Sequence, residues 1–317
     1  MKCLVTGGAG FIGSHLCLRL LRDGQDVVAL DDLSLGQEKF LAPCRDFKNF
    51  KFIKADLLDL EAVKSACTGI NRVWHLAANS DIASGGARTD IDLKIGTIAT
   101  YNVLEAMRSA SVKEIIFSST SAIYGEATIK PTPESYGPLL PISFYGASKL
   151  ACEALATAFS HNYEYRVWIY RFANIVGSHT THGAIHDFIK KLKKSPGNLE
   201  VLGDGKQAKS YLHVSDCIDG MIFGLEKSKD EVNLFNLAGQ GICSVAQLAE
   251  SVIAKVNPSA KKIFTGGSRG WKGDVSQVHL DGTKLQDLGF KPKLDSLGAV
   301  KKAIEDILND GDMGIST

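Results

Sequence analysis

Thr6-Gly7-Gly8-Ala9-Gly10-Phe11-Ile12-Gly13 stands between a short aliphatic run, Lys2 to Thr6, and a stretch from Phe11 to Leu21 whose apolar residues recur at helical spacing. Strand, glycine-rich turn and helix in that order form the setting in which such a motif seats a dinucleotide. Missing Cβ atoms permit the tight turn, let the backbone approach a pyrophosphate and let helix and strand pack closely, while the helix N-terminus offers free N–H groups. Gly7, Gly10, Phe11, Ile12 and Gly13 are therefore the candidate phosphate cradle. Asp31 closes the next strand-like run, where a carboxylate can accept hydrogen bonds from both hydroxyls of the adenosine ribose. A further phosphate on that ribose would meet this negative charge with no arginine nearby, so NAD is expected rather than NADP. A glycine-rich turn with an ordinary surface acid is the alternative, and the ordered succession of strand, loop, helix and acid argues against it. Asp56-Leu57, past the third run, reads either as flanking the adenine or as a polar strand end.

The same rhythm continues outward. Strand-like runs near residues 2–6, 26–30, 51–54, 72–76, 113–118 and 165–171 alternate with helix-like stretches, and Asp23-Gly24 stops the first helix. The expected fold is α/β, a doubly wound parallel sheet of the Rossmann type. Past residue 176 turn-rich segments such as Ser195-Pro196-Gly197-Asn198 and Gly203-Asp204-Gly205 loosen the pattern. Residues 1–175, with 206–240 returning to them, are expected to form the NAD-binding domain, and 176–317 mainly a smaller α/β substrate-binding lobe. A length of 317 residues suits two such lobes. Lys plus Arg number 36 against 35 Asp plus Glu, a balance that offers no broad attraction to nucleic acid or an anionic membrane. No apolar run is long enough to span a bilayer and no leader-like succession opens the chain. Seven scattered cysteines, none spaced as CxxC, fit reduced thiols, so a cytoplasmic protein without disulfides or metal is expected.

Of the eight tyrosines only Tyr145 has a lysine four residues on, in Tyr145-Gly146-Ala147-Ser148-Lys149 at the start of a helix-like run. One turn of helix places both on one face. A free phenol with pKa ~10 is a poor base at neutral pH, and a nearby ammonium favours its phenolate. Such a pair can take a proton from a substrate hydroxyl. The hydroxyl cluster Ser118-Ser119-Thr120-Ser121 ends the fifth run, at the carboxyl edge where ligands of doubly wound sheets collect. Taken singly, the pair would read as a solvated helix face and the cluster as strand-end capping.

Fingerprint, acid, hydroxyl cluster and YxxxK in this order resemble the extended short-chain dehydrogenase/reductase family, in particular nucleotide-sugar epimerases of the UDP-glucose 4-epimerase type. Further matching segments are His75-Leu76-Ala77-Ala78, Ile123-Tyr124-Gly125, Arg171-Phe172-Ala173-Asn174-Ile175-Val176-Gly177, Leu202-Gly203-Asp204-Gly205, Ser210-Tyr211-Leu212-His213-Val214 and Gly273-Asp274-Val275. The resemblance implies that Thr120, Tyr145 and Lys149 are catalytic, with Tyr145 the base and Lys149 on the nicotinamide ribose. It extends the cofactor site to Asp32, Ser34, Gly36, Asp56, Leu57, Leu76, Ala77, Ala78, Ser118 and Phe172, and the substrate site to Ser121, Asn174, Lys209, Arg269 and Trp271. It implies a redox-neutral inversion at C4 of a nucleotide sugar, most simply a UDP-hexose, through a 4-keto intermediate with NAD retained. A homodimer packed through helices near residues 97–109 and 145–160 is also implied.

Related dehydratases resemble one another in carrying a carboxylate just after the catalytic Thr, and sugar-acid decarboxylases tend to have a Glu there. This chain has Ser121-Ala122, which favours epimerisation over elimination. A 4,6-dehydratase, decarboxylase or reductase on the same scaffold stays open, as does a non-catalytic NAD sensor. The chain departs from the family at Leu93, where an Asn is usual three residues before Gly96, at Trp271, where an Arg is usual, and at Lys209, which lacks the planar two-pronged grip of Arg. Trp271 could stack on a base or sugar, or be core. His179, His182 and His186 read as rim or surface residues rather than metal ligands, and Lys190, Lys191, Lys193 and Lys194 as a solvated helix face.

Overall fold

The computed structural model describes residues 1–82, 84–267 and 275–310. In chain order the elements are β1 (Lys2–Thr6), α1 (Phe11–Arg22), β2 (Asp26–Asp31), β3 (Phe50–Lys54), α2 (Leu60–Cys67), β4 (Arg72–His75) and α3 (Ser84–Ala87). A π-helical turn, Leu93–Ile98, runs into α4 (Ala99–Ser109), followed by β5 (Glu114–Thr120), a 3-10 turn (Ser121–Tyr124), α5 (Phe144–Tyr163) and β6 (Arg166–Phe172). Then come β7 (Asn174–Val176), α6 (Ala184–Lys194), β8 (Asn198–Val201), β9 (Ala208–Lys209), β10 (Tyr211–His213), α7 (Val214–Lys227) and β11 (Val232–Leu237). The chain closes with β12 (Cys243–Ser244), α8 (Val245–Val256), β13 (Lys261–Phe264), β14 (Gln277–Val278), α9 (Thr283–Asp287) and α10 (Ser296–Asn309). Each strand-like run read from the sequence is a strand, and the fold is the Rossmann-type doubly wound α/β sheet that was expected.

Two compact units are present: Met1–Gly125, Pro138–Arg171 and Met221–Phe235 form one, and Glu126–Gly137, Phe172–Gly220 and Asn236–Thr317 the other. The first is built on a seven-stranded sheet in the order β11-β6-β5-β4-β1-β2-β3. Strands β2 and β3 are laid down to one side of β1, after which the chain crosses back and places β4 on its other side. That reversal opens a crevice at the carboxyl ends of β1 and β4, at Thr6 and His75, and ligands of such sheets bind there.

Side chains alternate across the sheet, so Leu4, Val28, Val73, Ile115, Phe117 and Val167 share one face, where α2, α4 and α5 cover them with Val63, Val103, Leu104, Met107, Cys152 and Ala156. Helix α5 starts where it does because the Ser143 hydroxyl accepts the Gly146 N–H (3.1 Å), which puts Tyr145 in the first turn and Lys149 one turn on. In the second unit, α6, α8 and α10 enclose a separate core with Val176, Leu199, Val201 and Tyr211. There His213 Nε2 lies 2.9 Å from Asp306 Oδ2 and ties β10 to α10. Among the described residues no helix is long and apolar enough to cross a membrane.

Leu104 is fully buried at the centre of the first core, and the Tyr165 hydroxyl donates to its carbonyl (3.0 Å). Leu104→Ala should lower the stability of the chain by about 2–5 kcal/mol. Urea unfolding measures it, and a loss below ~1 kcal/mol would mean that this core relaxes around the deleted atoms.

Candidate functional site

The glycine turn is shaped as a phosphate cradle requires. Gly7 has a φ of +69°, and a Cβ on it would lie 2.8 Å from Ala77 N, so the β1 and β4 loops approach as closely as bare backbone allows. A Cβ on Gly13 would stand 2.0 Å from Gly7 O, which holds α1 against the turn. Gly10 caps α1 without any side-chain acceptor, so the N–H groups of the first turn, with their partial positive charge, point toward a ligand position. Asp31 ends β2 buried, with Oδ2 accepting Ala9 N–H (3.0 Å) and Oδ1 accepting Leu33 N–H (2.8 Å). Burial raises its pKa and these two amides oppose the rise, and each oxygen keeps a lone pair for a ribose hydroxyl. Uncapped helix, glycine cradle and terminal acid fit a dinucleotide.

Beneath the crevice a buried hydrogen-bond chain joins β1, β4 and α4. Ala77 N–H donates to Thr6 Oγ1 (3.4 Å), and Thr6 Oγ1 lies 2.7 Å from His75 Nδ1. His75 Nε2 lies 2.9 Å from Thr100 Oγ1, which in turn donates to Gly96 O (2.7 Å). Because the Thr100 proton goes to Gly96, His75 donates from Nε2, and with the ring neutral its Nδ1 accepts the Thr6 hydroxyl. Burial, with the Lys149 charge adding to it, pushes the His75 pKa down to about 3.

Tyr145 and Lys149 meet the hydroxyl cluster at the end of β5. The Thr120 hydroxyl hydrogen-bonds the Tyr145 phenol and also accepts Ala122 N–H (3.2 Å). Lys149 is buried, with Nζ donating to Ser118 O (2.6 Å), 4.7 Å from the Phe117 ring centre and 6.0 Å from that of Tyr145. The ammonium was expected to draw Tyr145 toward phenolate. In this structure burial dominates instead, raising Tyr145 to about 12 despite the Thr120 bond and lowering Lys149 to about 8. Ser118 itself donates to His75 O (3.2 Å), so the pair rests on the same β4 residue as the cofactor loop.

One turn beyond Lys149 on the same helix face lies Glu153, which sequence reading passed over. It takes a two-pronged bond from Arg171 at the end of β6, Nε to Oε1 (3.1 Å) and Nη2 to Oε2 (2.8 Å), and a further bond from the Ser119 hydroxyl. Arg171 Nη1 also donates to the Tyr124 hydroxyl (2.9 Å). All four side chains are buried, so a fully paired charge cluster ties α5, the end of β5 and the turn after Thr120 together. The signal was the YxxxKxxxE spacing, which continues the catalytic face by one turn.

Other predicted residues fall as follows. Leu76, Ala77 and Ala78 follow β4 beside the glycine turn, while Asp32 and Ser34 form an exposed turn after β2 in which Asp32 Oδ1 accepts Ser34 N–H (2.8 Å). Gly36 packs on the Asp31 carboxylate. Asp56 caps its own turn by accepting Leu58 N–H (2.8 Å), and the Leu57 side chain belongs to the core. Ser121 opens the 3-10 turn after Thr120. In the second unit Phe172 is buried, and Asn174 N–H donates to Ser210 O (3.1 Å), next in sequence to Lys209, so the two substrate candidates Asn174 and Lys209 are neighbours. Arg269 and Trp271 lie outside the described residues. His186 is buried on α6, and among the described residues no His, Cys, Asp and Glu side chains group as metal ligands.

A switch-point crevice with a dinucleotide cradle after β1 and a Thr-Tyr-Lys group at the end of β5, on the far side of β4, defines a Rossmann-type NAD enzyme. The chain belongs to the NAD dependent epimerase/dehydratase family, whose model matches residues 3–238, and its cofactor is NAD. It is 32% identical to UDP-glucose 4-epimerase of Bacillus subtilis (strain 168), over 92% of this chain and 93% of the relative. The crystal structure of UDP-glucose 4-epimerase from Thermotoga maritima with UDP-glucose superimposes with a TM-score of 0.89 at 30% identity, covering 98% of this chain and 100% of that one. The dTDP-glucose 4,6-dehydratase DesIV from Streptomyces venezuelae, with NAD bound, gives a TM-score of 0.86 at 26% identity over 96% of each chain. Epimerases and dehydratases thus share this scaffold.

An imidazole held neutral makes stability fall in acid. The unfolded chain binds the His75 proton near the ordinary value of 6.5 and the folded chain only near 3, so protonation favours unfolding across that window. His75 should contribute a slope of up to about 1.4 kcal/mol per pH unit there. Urea unfolding of wild type and His75→Gln across the window checks it, since the difference between the two should shrink as pH falls. A constant difference would refute the assignment.

Proposed function

We propose that the chain is an NAD-dependent 4-epimerase of a nucleotide sugar, with a UDP-hexose as its substrate. The observation that carries this reading is the Thr120–Tyr145–Lys149 group followed by Ser121-Ala122, which supplies a base but no carboxylate acid beside it. A dehydratase must protonate the departing C6 hydroxyl, and nothing at Ser121 or Ala122 can do so. Tyr145, as phenolate, removes the proton of the C4 hydroxyl while C4 becomes a ketone, and Thr120 shares that proton. NAD, when bound, supplies the hydride acceptor and the hydride donor. After the keto sugar turns over, Tyr145 returns the proton to O4, so neither protons nor electrons are consumed. The Lys149 charge would have to favour the phenolate against the burial that raises Tyr145, and Lys149 holds the nicotinamide ribose.

In this reading Gly7, Gly10, Phe11, Ile12 and Gly13 hold the pyrophosphate, Asp31 the adenosine ribose, and Asn174 and Lys209 the sugar diphosphate. Ser118 flanks the nicotinamide. We also propose a homodimer through α4 and α5. Ile98, at the end of the π-helical turn, and Tyr101, in the first turn of α4, leave 42% and 45% of their surface exposed, and Tyr101 lies 6.3 Å from Phe159 of α5, an apolar face suited to a second copy. Seven free, buried cysteines support placement in the reducing cytoplasm.

NMR of the NAD-loaded protein with UDP-, GDP- and dTDP-sugars should show redox-neutral interconversion of C4 epimers, and Tyr145→Phe should slow it by about 10²–10⁴-fold. A 4-keto-6-deoxy product would replace this reading with dehydration. For assembly, sedimentation should give a dimer that Tyr101→Glu converts to monomer, and a wild-type monomer would end that part of the proposal.

A further inference from the structure

Lys149 is a cation with 3% of its surface exposed and one neutral carbonyl as its bonded acceptor, and an ammonium so placed needs a counter-charge. The groups that interact electrostatically with it in its favour are Cys152, Glu153 and Asp92. Cys152 is a buried thiol whose ionisation is disfavoured by burial, and its Sγ is turned to Thr100 Oγ1 at 3.2 Å. Glu153 already gives both oxygens to Arg171. Asp92 remains. It is 2% exposed, Oδ1 accepts Asn79 Nδ2 (3.2 Å), and Oδ2 has no hydrogen-bond partner among the described residues; burial raises its pKa too, but from the ordinary carboxyl value of 3.8 rather than the thiol value of 9.0, and the Asn79 bond and the Lys149 charge oppose the rise.

The backbone explains how a carboxylate comes to be held there. Asp92 starts the π-helical turn, and its carbonyl accepts the Ser148 hydroxyl (2.7 Å), the residue before Lys149, while the same hydroxyl lies 3.0 Å from Thr97 Oγ1. Leu93, which occupies the position of the usual family Asn, is 54% exposed, so the inward group at this turn is the acid that precedes it. We infer that Asp92 is a positioning residue of the active site: its unpaired carboxylate oxygen is the counter-charge of the Lys149 ammonium, and it sets the pH range over which the Tyr145–Lys149 pair works. This rests on Tyr145 being the base.

The groups facing the pair are Asp92 ahead of α4, Cys152 and Glu153 on α5, and the neutral His75 on β4, with Asp81 and Asn79 of the loop after β4 acting on Asp92 itself. The negative charge of Asp92 favours protonated Lys149 and disfavours the Tyr145 phenolate. Its removal therefore makes both groups lose their protons more easily. Because the two titrate as a pair, the whole bell of activity against pH moves the same way, toward lower pH.

The test uses the NAD-loaded protein and three variants, Asp92→Asn, Asp90→Asn and Tyr145→Phe. Asp90 is an exposed acid two residues away, paired with Lys94 (2.7 Å), and controls for any loss of negative charge. Asp92→Asn is expected to displace the pH profile of turnover to lower pH by about one unit or more, with Asp90→Asn leaving it in place. Ultraviolet difference titration without sugar, wild type minus Tyr145→Phe in each background, should move in the same direction and needs no turnover. A profile and a titration that both stay put in Asp92→Asn would overturn the inference, even if its rate falls. Wild-type turnover in Tyr145→Phe would instead overturn the reading of the site on which the inference rests.

Discussion

His75 is buried between two hydroxyls, and the direction of every bond around it follows from the last one, in which Thr100 gives its proton to Gly96 O. Burial keeps the ring neutral, so Nδ1 accepts the Thr6 hydroxyl and the chain of bonds runs one way from the Ala77 amide to α4. Three elements meet on this ring. The ends of β1 and β4, which bracket the switch point, are held in register with the first turn of α4, and the Ser118 hydroxyl reaches the His75 carbonyl from β5. The close passage of the glycine turn over Ala77 depends on that alignment.

The dryness that keeps His75 neutral also governs the Tyr145–Lys149 pair. Desolvation opposes charge on both Tyr145 and Lys149, pushing one up and the other down until each leans toward its neutral form. The charges of Glu153 and Arg171, by contrast, are compensated fully by geometry. Glu153 and Arg171 satisfy one another with two bonds, and Ser119 and Tyr124 take up what remains. Breaking one partner of such a cluster strands a charge in a dry interior, and the cluster binds the segments that carry Thr120, Tyr145 and Lys149. Stability and site geometry therefore depend on the same side chains.

Much of this was legible in the chain itself, for reasons that lie in local physics. Strand alternation and helical spacing mark the elements because one face of each must be buried, and glycines at fixed intervals mark the turn because no other residue has room for it. Tyr145 and Lys149 could be paired from spacing, since a helix turn brings them to one face wherever the helix lies. Asp31 could be placed because it ends a strand. Leu57 shows the limit of such reading, as an apolar residue past a strand serves the core or a ligand equally well on sequence grounds, and in the fold it enters the core.

Sequence alone thus determined the sheet, and marked the candidate cofactor cradle and the Tyr145–Lys149 pair, all of which follow from residues near one another in the chain. Tertiary structure decided what surrounds that pair. Asp92, Arg171 and His75 come from three separate elements, and nothing in their local spacing announces that they converge with Glu153 below the end of β5. Whether Lys149 lowers the pKa of Tyr145 or burial raises it is a question of depth and dielectric, which depend on how α4, α5 and β5 pack. Protonation is a property of the enclosed volume, and no single segment of the chain encloses it.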